Sequence, residues 1–261
     1  MSLLRLIARL DVKGKNVVKG INFEGLRVVG QSKEMAQQYA EQGADEILYM
    51  DVTASLYGRN QLEHLLETTC ESVFVPITVG GGIASKADAR RLFNAGADKV
   101  AINTAAIKRP DLINELAAHF GSQAVVVSIE AKRVNGGWEC YVDNGRERTN
   151  VDGLQWAMEA VNRGAGELLI TSVDRDGTRR GFDTALIAAI APNVHVPVTA
   201  SGGLGSLEHL RSVLVEGKAD AVAVGSALHY GHVTFAAMRE YVSGFRHTAR
   251  NAQAGSGAPL P

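Results

Sequence analysis

Two acidic residues occupy equivalent places in a duplicated sequence, and both are suited to proton transfer. The segments LDVK at 10–13 and IEAK at 129–132 align at an offset of 119 residues, which pairs Asp11 with Glu130. Each residue ends a predicted strand. Two carboxylates that face each other across a ligand can act as general acid and general base. They could instead cap helices or pair with the lysines beside them, and the residues alone leave both interpretations open.

Glycines and small polar residues end the other predicted strands. The segments VFVPITVGGGI at 73–83 and VHVPVTASGGL at 194–204 lie 121 residues apart. The backbone N–H groups of such loops, followed by a helix N-terminus, favour phosphate. The glycines could serve only to permit tight turns, but their duplication favours a ligand with a phosphate at each end. Their spacing fits neither a dinucleotide-binding loop nor a P-loop.

Each predicted phosphate site combines residues from two strand ends. The first site consists of Gly81, Gly82, Asn103 and Thr104. The second consists of Gly202, Gly203, Gly225 and Ser226, bordered by Asp176 and Gly177, with Thr171 and Ser201 as further substrate-binding residues.

The acidic residues that follow other strands do not form a metal-binding pattern. Asp51, Asp174 and Asp176 could be ligands, but no set of His, Asp and Cys residues has metal-ligand spacing, and the seven histidines are scattered. We therefore predict a site without metal or cofactor.

Strands and helices must alternate to position these residues. The predicted strands are 5–12, 46–52, 74–79, 98–103, 124–130, 167–172, 194–200 and 220–225, and the predicted helices are 32–43, 60–72, 85–95, 109–120, 151–163, 183–191, 206–217 and 233–245. Eight such units with a twofold repeat favour a single (β/α)8 TIM barrel in the α/β class over an open doubly wound sheet. The barrel is expected to span 1–246, with half-barrels of about 1–121 and 122–246, and 247–261 is expected to be a disordered tail.

Two connections after strands are long, at 13–31 and 133–150, and Asn135-Gly136 predicts a small hairpin in the second. Long loops on the C-terminal face of a barrel usually act as lids or carry chemistry.

The composition excludes several classes of function. The formal net charge is −1 and hydrophobic residues make up 46% of the chain, so neither a nucleic-acid surface nor a membrane span is predicted. With only Cys70 and Cys140, the chain fits a protein with reduced thiols, and we expect a cytoplasmic location.

Seven motifs taken together resemble one enzyme family. They are LDVK (10–13), VVKGINFEGLR (17–27), GADEILYMDVTAS (43–55), TVGGGI (78–83), GADKVAINTAA (96–106), TSVDRDGTRRGFD (171–183) and ASGGLG (200–205). As a set they closely resemble the cyclase subunit of imidazole glycerol phosphate synthase, from histidine biosynthesis. The resemblance covers about 3–245.

This resemblance implies a reaction and a partner. The family adds ammonia to a bisphosphorylated ribulosyl-formimino aminoimidazole carboxamide nucleotide and releases imidazole glycerol phosphate and aminoimidazole carboxamide ribotide. The resemblance implies that a glutaminase subunit docks at the N-terminal face of the barrel, in a heterodimer, and supplies ammonia through the barrel axis. Asp11 then corresponds to the first catalytic aspartate, Lys19 to a loop lysine over the substrate, and Asp98 to a docking residue.

The resemblance also assigns a ring of alternating charges at the strand starts to the ammonia path. Its members are Arg5, Glu46, Lys99 and Glu167. Buried charges are costly unless they are paired, so a salt-bridged ring that closes a channel is physically sensible. A purely stabilising ion-pair ring is the alternative.

Two residues depart from the family pattern. Glu130 replaces the second catalytic aspartate and is longer by one methylene, a change that is expected to worsen its geometry and leave Asp11 as the principal acid and base. Arg9 stands where the family usually has cysteine, and a cation there would lower the pKa of Asp11. These changes put turnover in question. They leave open a paralogue that conducts ammonia to another pathway, such as sugar-nucleotide amidation, and the sister isomerase.

Overall fold

The computed structural model describes residues 4–53 and 62–254, and the side chains of its last helix as far as residue 244. The strands are β1 (Arg5–Lys13), β2 (Asn16–Ile21), β3 (Glu24–Gln31), β4 (Glu46–Asp51), β5 (Ile77–Gly80), β6 (Lys99–Ile102), β7 (Val125–Val134), β8 (Gly137–Val142), β9 (Glu147–Asp152), β10 (Glu167–Ser172), β11 (Val198–Ser201) and β12 (Ala221–Val224).

Most of the helices connect one barrel strand to the next. They are α1 (Ser32–Glu41), α2 (Leu62–Cys70), α3 (Lys86–Asn94), α4 (Thr104–Lys108), α5 (Asp111–Phe120), α6 (Gly153–Asn162), α7 (Thr184–Ile190), α8 (Glu208–Val215), α9 (Ser226–His229) and α10 (Phe235–Ala254). None of the helices described is both long and apolar enough to cross a membrane.

Eight parallel strands close into a barrel. Their order is β1, β4, β5, β6, β7, β10, β11 and β12, and β12 returns to β1. The pairing of β7 with β10, from Val126↔Glu167 to Ala131↔Ser172, joins the two halves. This closure confirms the predicted (β/α)8 barrel and excludes the open sheet, which would leave two edge strands.

The two halves repeat each other at the level of single hydrogen bonds. The N–H of Ile47 donates to the carbonyl of Pro76 at 2.9 Å, and the N–H of Leu168 donates to that of Pro197 at 3.0 Å. Each bond joins the strand that starts with a ring glutamate to the proline before the next strand. The predicted twofold repeat is therefore built into the backbone, while the exact limits of the half-barrels stay a prediction.

Side chains along the barrel strands alternate between two apolar layers. The outward-facing layer packs under the helices and forms the main core. A smaller cluster fills the barrel interior and consists of Ile7, Leu48, Met50, Ala101, Val126, Leu169, Ala221 and Ala223. The axis is thus a packed core with polar groups at each end.

Two hairpins lie over the C-terminal ends of the strands. The predicted hairpin in 133–150 is confirmed: β7 continues into β8 through Asn135 and Gly136, which both have positive φ as the tight turn requires. The connection 13–31, predicted as a long loop, contains the hairpin β2–β3, whose turn holds Asn22 and Phe23 at positive φ. We refer to β2–β3 as the mouth hairpin.

The last helix α10 extends to Ala254, into the stretch that the sequence predicts to be a tail. Residues 255–261 lie outside the described part of the chain, and the tail stays a prediction there.

Candidate active site

Asp11 lies at the end of β1 with a cation on each of its carboxylate oxygens. Arg9 Nε donates to Oδ1 at 2.8 Å, and Lys19 Nζ donates to Oδ2 at 2.7 Å. Burial by itself would raise the pKa of Asp11, but the charges of Arg9 and Lys19 outweigh burial and hold the pKa well below its usual range. The two cations therefore hold Asp11 in its ionised form.

Arg9 is the centre of a buried polar network that joins three strands. It points into the barrel two residues before Asp11, and only 3% of it is exposed. Besides Asp11, its Nη1 donates to Thr171 Oγ1 at 2.9 Å and to Ser201 Oγ at 3.0 Å. Thr171 and Ser201, predicted as substrate-binding residues, are thus hydrogen-bond partners of Arg9 in this structure. A buried guanidinium needs such partners to offset its desolvation.

Lys19 fastens the mouth hairpin to the barrel. Its ammonium bridges Asp11 and Asp176, with 2.9 Å to Asp176 Oδ2. The ring of Phe23, at the tip of the same hairpin, lies over both Lys19 Nζ (5.6 Å) and the Arg9 guanidinium (5.4 Å). These cation–π contacts and the ion pairs hold the hairpin across the centre of the barrel mouth.

Glu130 lies within β7, in a different environment. It is buried, and the N–H of Gly145 in the β8–β9 turn donates to its Oε2 at 2.8 Å. Burial raises the pKa of Glu130 to about 7, against the opposing charge of Arg9 and that hydrogen bond. The nearby charge of Asp11 adds to the increase. The two predicted catalytic carboxylates therefore reach the same end of the barrel with opposite shifts in pKa.

The first predicted phosphate site lines a cavity of 350 Å³, which we call the first cavity. Its walls include all four predicted residues, Gly81, Gly82, Asn103 and Thr104, together with Glu130. The cavity is also lined by Asp51, considered from the sequence as a possible metal ligand, and by three residues that were not predicted, namely Lys108, Arg109 and Asn144. The two cations directly follow Thr104 on and after α4, which was the available signal.

The second predicted phosphate site lies under the mouth hairpin. A narrow polar cleft is lined by Arg9, Asp176, Ser201, Gly202, Gly203, Gly225 and Ser226. Ser226 also borders a cavity of 1140 Å³, the second cavity, together with Lys19, Gly177 and three further cations: Arg27, Lys132 and Arg179. Every predicted residue of the second site except Thr171 lines the cleft or the cavity.

The two predicted phosphate sites share one backbone geometry. Asn103 precedes α4 with φ −129° and ψ −87°, and Gly225 precedes α9 with φ −116° and ψ −89°. Neither short helix is predicted from the sequence, because an element of four or five residues has no usable hydrophobic periodicity. In each case a single residue separates the barrel strand from the helix, whose first N–H groups have no partner within the helix.

The predicted charged ring closes the opposite end of the barrel. Arg5 pairs with Glu46 at 3.0 Å and with Glu167 at 2.9 Å, and Lys99 Nζ pairs with the same two residues at 2.8 and 3.0 Å. Thr78 donates to Glu46 at 2.5 Å, and Thr199 donates to Glu167 at 2.6 Å. Burial would raise the pKa of Glu167, but Lys99 and Arg5 outweigh it and lower the pKa.

Asp98, the predicted docking residue, has a partner within its own chain. Its Oδ2 accepts the N–H of Ile77 at 2.8 Å. Asp220 accepts the N–H of Val198 at 2.9 Å, and Asp45 accepts the N–H of Leu6 at 2.7 Å, in equivalent positions. Asp98 therefore caps the start of a strand, and its contact with a partner stays a prediction.

Among residues 4–53 and 62–254, no group of three or more His, Cys, Asp or Glu side chains could hold a metal ion. Asp174 accepts the N–H of Arg133 at 2.8 Å, and Asp176 pairs with Lys19, so the two acids serve different partners. The prediction that catalysis needs no metal stays a prediction.

Known proteins resemble this chain along nearly all of its barrel. Residues 5–234 match the family described as "Histidine biosynthesis protein". The chain is 59% identical over 209 residues to the imidazole glycerol phosphate synthase subunit HisF of Legionella pneumophila, which covers 80% of this chain and 99% of that relative. It is 46% identical over 263 residues to the subunit of the same name from Thermosynechococcus vestitus, which covers 98% of this chain and 92% of the relative. These matches confirm the resemblance predicted from the motifs. The chain therefore belongs to the histidine biosynthesis protein family, in the branch of the imidazole glycerol phosphate synthase subunits HisF.

Proposed function

We propose that this chain is the cyclase subunit of an imidazole glycerol phosphate synthase. It would add ammonia to the bisphosphorylated ribulosyl-formimino aminoimidazole carboxamide nucleotide, close the imidazole ring, and release imidazole glycerol phosphate and aminoimidazole carboxamide ribotide. The observation that carries the proposal is the pairing of two duplicated glycine-rich sites with two carboxylates at the same end of the barrel.

The two glycine-rich sites suit the two phosphates of that substrate. Lys108 and Arg109 add positive charge to the first cavity, and Arg27 and Arg179 add it to the second. Cations and unpaired N–H groups together favour a phosphate dianion. A substrate anchored at both ends would have its reacting centre between the cavities, near Asp11 and Glu130, where a fixed geometry lowers the entropic part of the barrier.

We also propose that ammonia enters through the charged ring from a glutaminase subunit docked at the strand starts. The ring spans the barrel floor directly below the apolar interior, so an opening there would lead to the site along the axis. Both cysteines are free thiols, which fits the cytoplasm as the proposed location.

Turnover of the ribulosyl substrate with an ammonium salt, without any partner, tests the enzyme function. We expect imidazole glycerol phosphate to form, and chromatography measures the product. Gln38→Ala, on the exposed face of α1, is the control variant and should behave like wild type. A chain that makes no product, yet passes ammonia to a sugar nucleotide in the presence of a glutaminase, would establish the paralogue instead. Isomerisation of the formimino precursor would establish the sister isomerase.

A further inference from the structure

The two carboxylates of the candidate site are held in chemically different ways. Both oxygens of Asp11 accept from cationic donors, at 2.8 Å from Arg9 and 2.7 Å from Lys19. Glu130 accepts from one neutral backbone N–H, that of Gly145. A carboxylate clamped by two charged donors is a poor base, because a proton on one oxygen would displace its donor and would weaken the ion pair with the other cation. A carboxyl group that loses one neutral bond gives up much less.

Access to a ligand separates the two groups in the same direction. Glu130 lines the first cavity beside Gly82 and Asn103. Among the residues that the structure describes, Asp11 lines neither the first cavity, nor the second cavity, nor the narrow polar cleft. Asp11 is 1% exposed and lies beneath the ammonium of Lys19. A substrate that fills the first cavity therefore meets the Glu130 carboxyl before it meets Asp11.

The charges around Arg9 explain why Glu130 is the group that can change its protonation state. Two cations, Arg9 and Lys19, balance two anions, Asp11 and Asp176, in one connected network. Glu130 is the carboxyl left over, and the charged groups that bear on it are Arg9 and Asp11 from β1 and Asp176 from the loop after β10. With Glu130 protonated, the buried cluster is neutral, and burial favours neutrality.

We propose, in place of the expectation that Asp11 is the principal acid and base, that Arg9 is a positioning residue that divides the work of the two carboxylates: it fixes Asp11 as an anion and leaves proton transfer with the substrate to Glu130. This inference rests on the proposed function. Glu130 takes a proton from the nitrogen that ammonia contributes and returns a proton to the leaving group, so it ends a turnover in its starting form. Asp11 stabilises the positive charge that develops on the substrate between the two carboxylates. Arginine at position 9 and glutamate at position 130 then act as a matched pair.

The pH dependence of ammonia-driven turnover tests this division. Glu130→Gln should lower kcat by about 100-fold or more, the usual contribution of general acid–base catalysis. Arg9→Met should move the acid limb of the kcat profile upward by about one pH unit or more, because a cation that favours the ionised form of Glu130 is gone. Arg9→Lys should restore part of the wild-type profile. Wild-type kcat in Glu130→Gln, or an acid limb that Arg9→Met leaves in place, would overturn the proposal.

A double-mutant cycle tests whether the two residues are matched. Glu130→Asp should lose about tenfold or more in kcat in the presence of Arg9, and the loss should be smaller when Arg9→Cys is combined with it, since the effects of electrostatically coupled groups are not additive. Additive losses would mean that the two residues act independently and would contradict the pairing. Asp11→Asn serves as a second probe if the Arg9 variants do not fold, and it should move the acid limb downward, because an anion near Glu130 is lost.

A titration without substrate separates this proposal from the proposed function. In protein labelled with ¹³C at the glutamate carboxyl groups, the Glu130 signal, assigned with Glu130→Gln, should titrate with a midpoint near 7. The midpoint should rise in Arg9→Met. If it does so while the wild type makes no imidazole glycerol phosphate, the proposed function fails and the control of Arg9 over Glu130 stands. A midpoint that matches those of exposed glutamates in both proteins would overturn the inference.

Discussion

Lys19 Nζ lies 2.7 Å from Asp11 Oδ2, and this contact ties the mouth hairpin to the end of the first barrel strand. The same ammonium reaches Asp176 after β10, so one side chain connects three separate parts of the barrel mouth. Lys19 is almost fully buried in these contacts. The ion pairs of this ammonium add to the Phe23 contacts and to the bond from the N–H of Asn22 to the carbonyl of Asp176 (2.9 Å) in holding the hairpin over the second cavity.

Lys19→Met should free the mouth hairpin and weaken substrate binding. We expect KM for the ribulosyl substrate to rise by about 10- to 100-fold, because one charged donor near a phosphate is worth roughly 1.5–3 kcal/mol. Limited proteolysis within 13–31 should become faster. Lys15→Met, an exposed position on the same connection, is the matched control and should change neither quantity. An unchanged KM together with unchanged proteolysis would contradict this role of Lys19.

Lys99→Ala should separate the two sources of ammonia. Without Lys99, Arg5 alone compensates Glu46 and Glu167, so we expect a loss of about 2–3 kcal/mol in the free energy of unfolding. Glutamine-driven turnover with a glutaminase should change several-fold, while turnover driven by ammonium salt should remain. Lys86→Ala on the exposed side of α3 controls for loss of a surface charge. Equal losses in both assays would show that the charged ring only stabilises the barrel.

Two phosphate or sulfate ions should bind at the C-terminal face, one near Gly82 and Thr104 and the other near Gly203 and Ser226. Gly203→Ala should remove the second ion and keep the first, because its Cβ would press on the Gly181 carbonyl oxygen at a φ of +107°. Crystals soaked in sulfate show the positions of the ions, and calorimetry measures the number of ions bound. Gly43→Ala, with φ +94° and open space around it, imposes backbone strain without that contact and should leave both ions bound. A single ion in the wild type would contradict the two-site interpretation.

Glu130 should make the folded protein less stable as the pH rises. Its pKa in the folded protein, about 7, lies above the ordinary 4.5 of the unfolded chain. Between those values the folded state binds more protons, so the free energy of unfolding falls as the pH rises and levels off above the folded pKa. Glu130→Gln should therefore raise the free energy of unfolding by up to about 3 kcal/mol near pH 8 and change it little near pH 4.

Urea denaturation at the two pH values measures this effect. Glu41→Gln, an exposed position at the end of α1, should show no such pH-dependent gain. An equal gain for Glu130→Gln at both pH values would show that the substitution acts through packing, and not through the buried charge.

The barrel could be predicted because its strands are buried on both faces and its repeat is long, but local chemistry moved some boundaries. The strands predicted at 74–79 and 194–200 begin at Ile77 and Val198, directly after Pro76 and Pro197. A proline has no N–H for the ladder, so the residues before it leave the sheet despite their β-branched side chains. Phe74 in that stretch is accordingly 88% exposed.

The site was predictable where its residues follow strand ends, and less so where contacts cross the mouth. Asp11 and Glu130 could be selected by position, as could the glycines. The partnership of Arg9 with Ser201, 192 residues away, could not, because it depends on the barrel closing. The contacts of Phe23 could not be predicted for a different reason. They depend on a positive φ in a turn, and a phenylalanine does not indicate such a backbone conformation.

The charged ring makes the two halves of the barrel electrostatically unequal. The acids are related by the repeat, since Glu46 and Glu167 each accept from a threonine on the next strand. The cations are not related by the repeat. The first half has Arg5 and Lys99, and the second half has Ala124 and Ala221 at the equivalent positions. A barrel made of two copies of the first half would have a ring with two excess positive charges. A barrel made of two copies of the second half would have a ring of two carboxylates and no cation. The fused chain is thus a complementary pair that neither half could replace by a copy of itself.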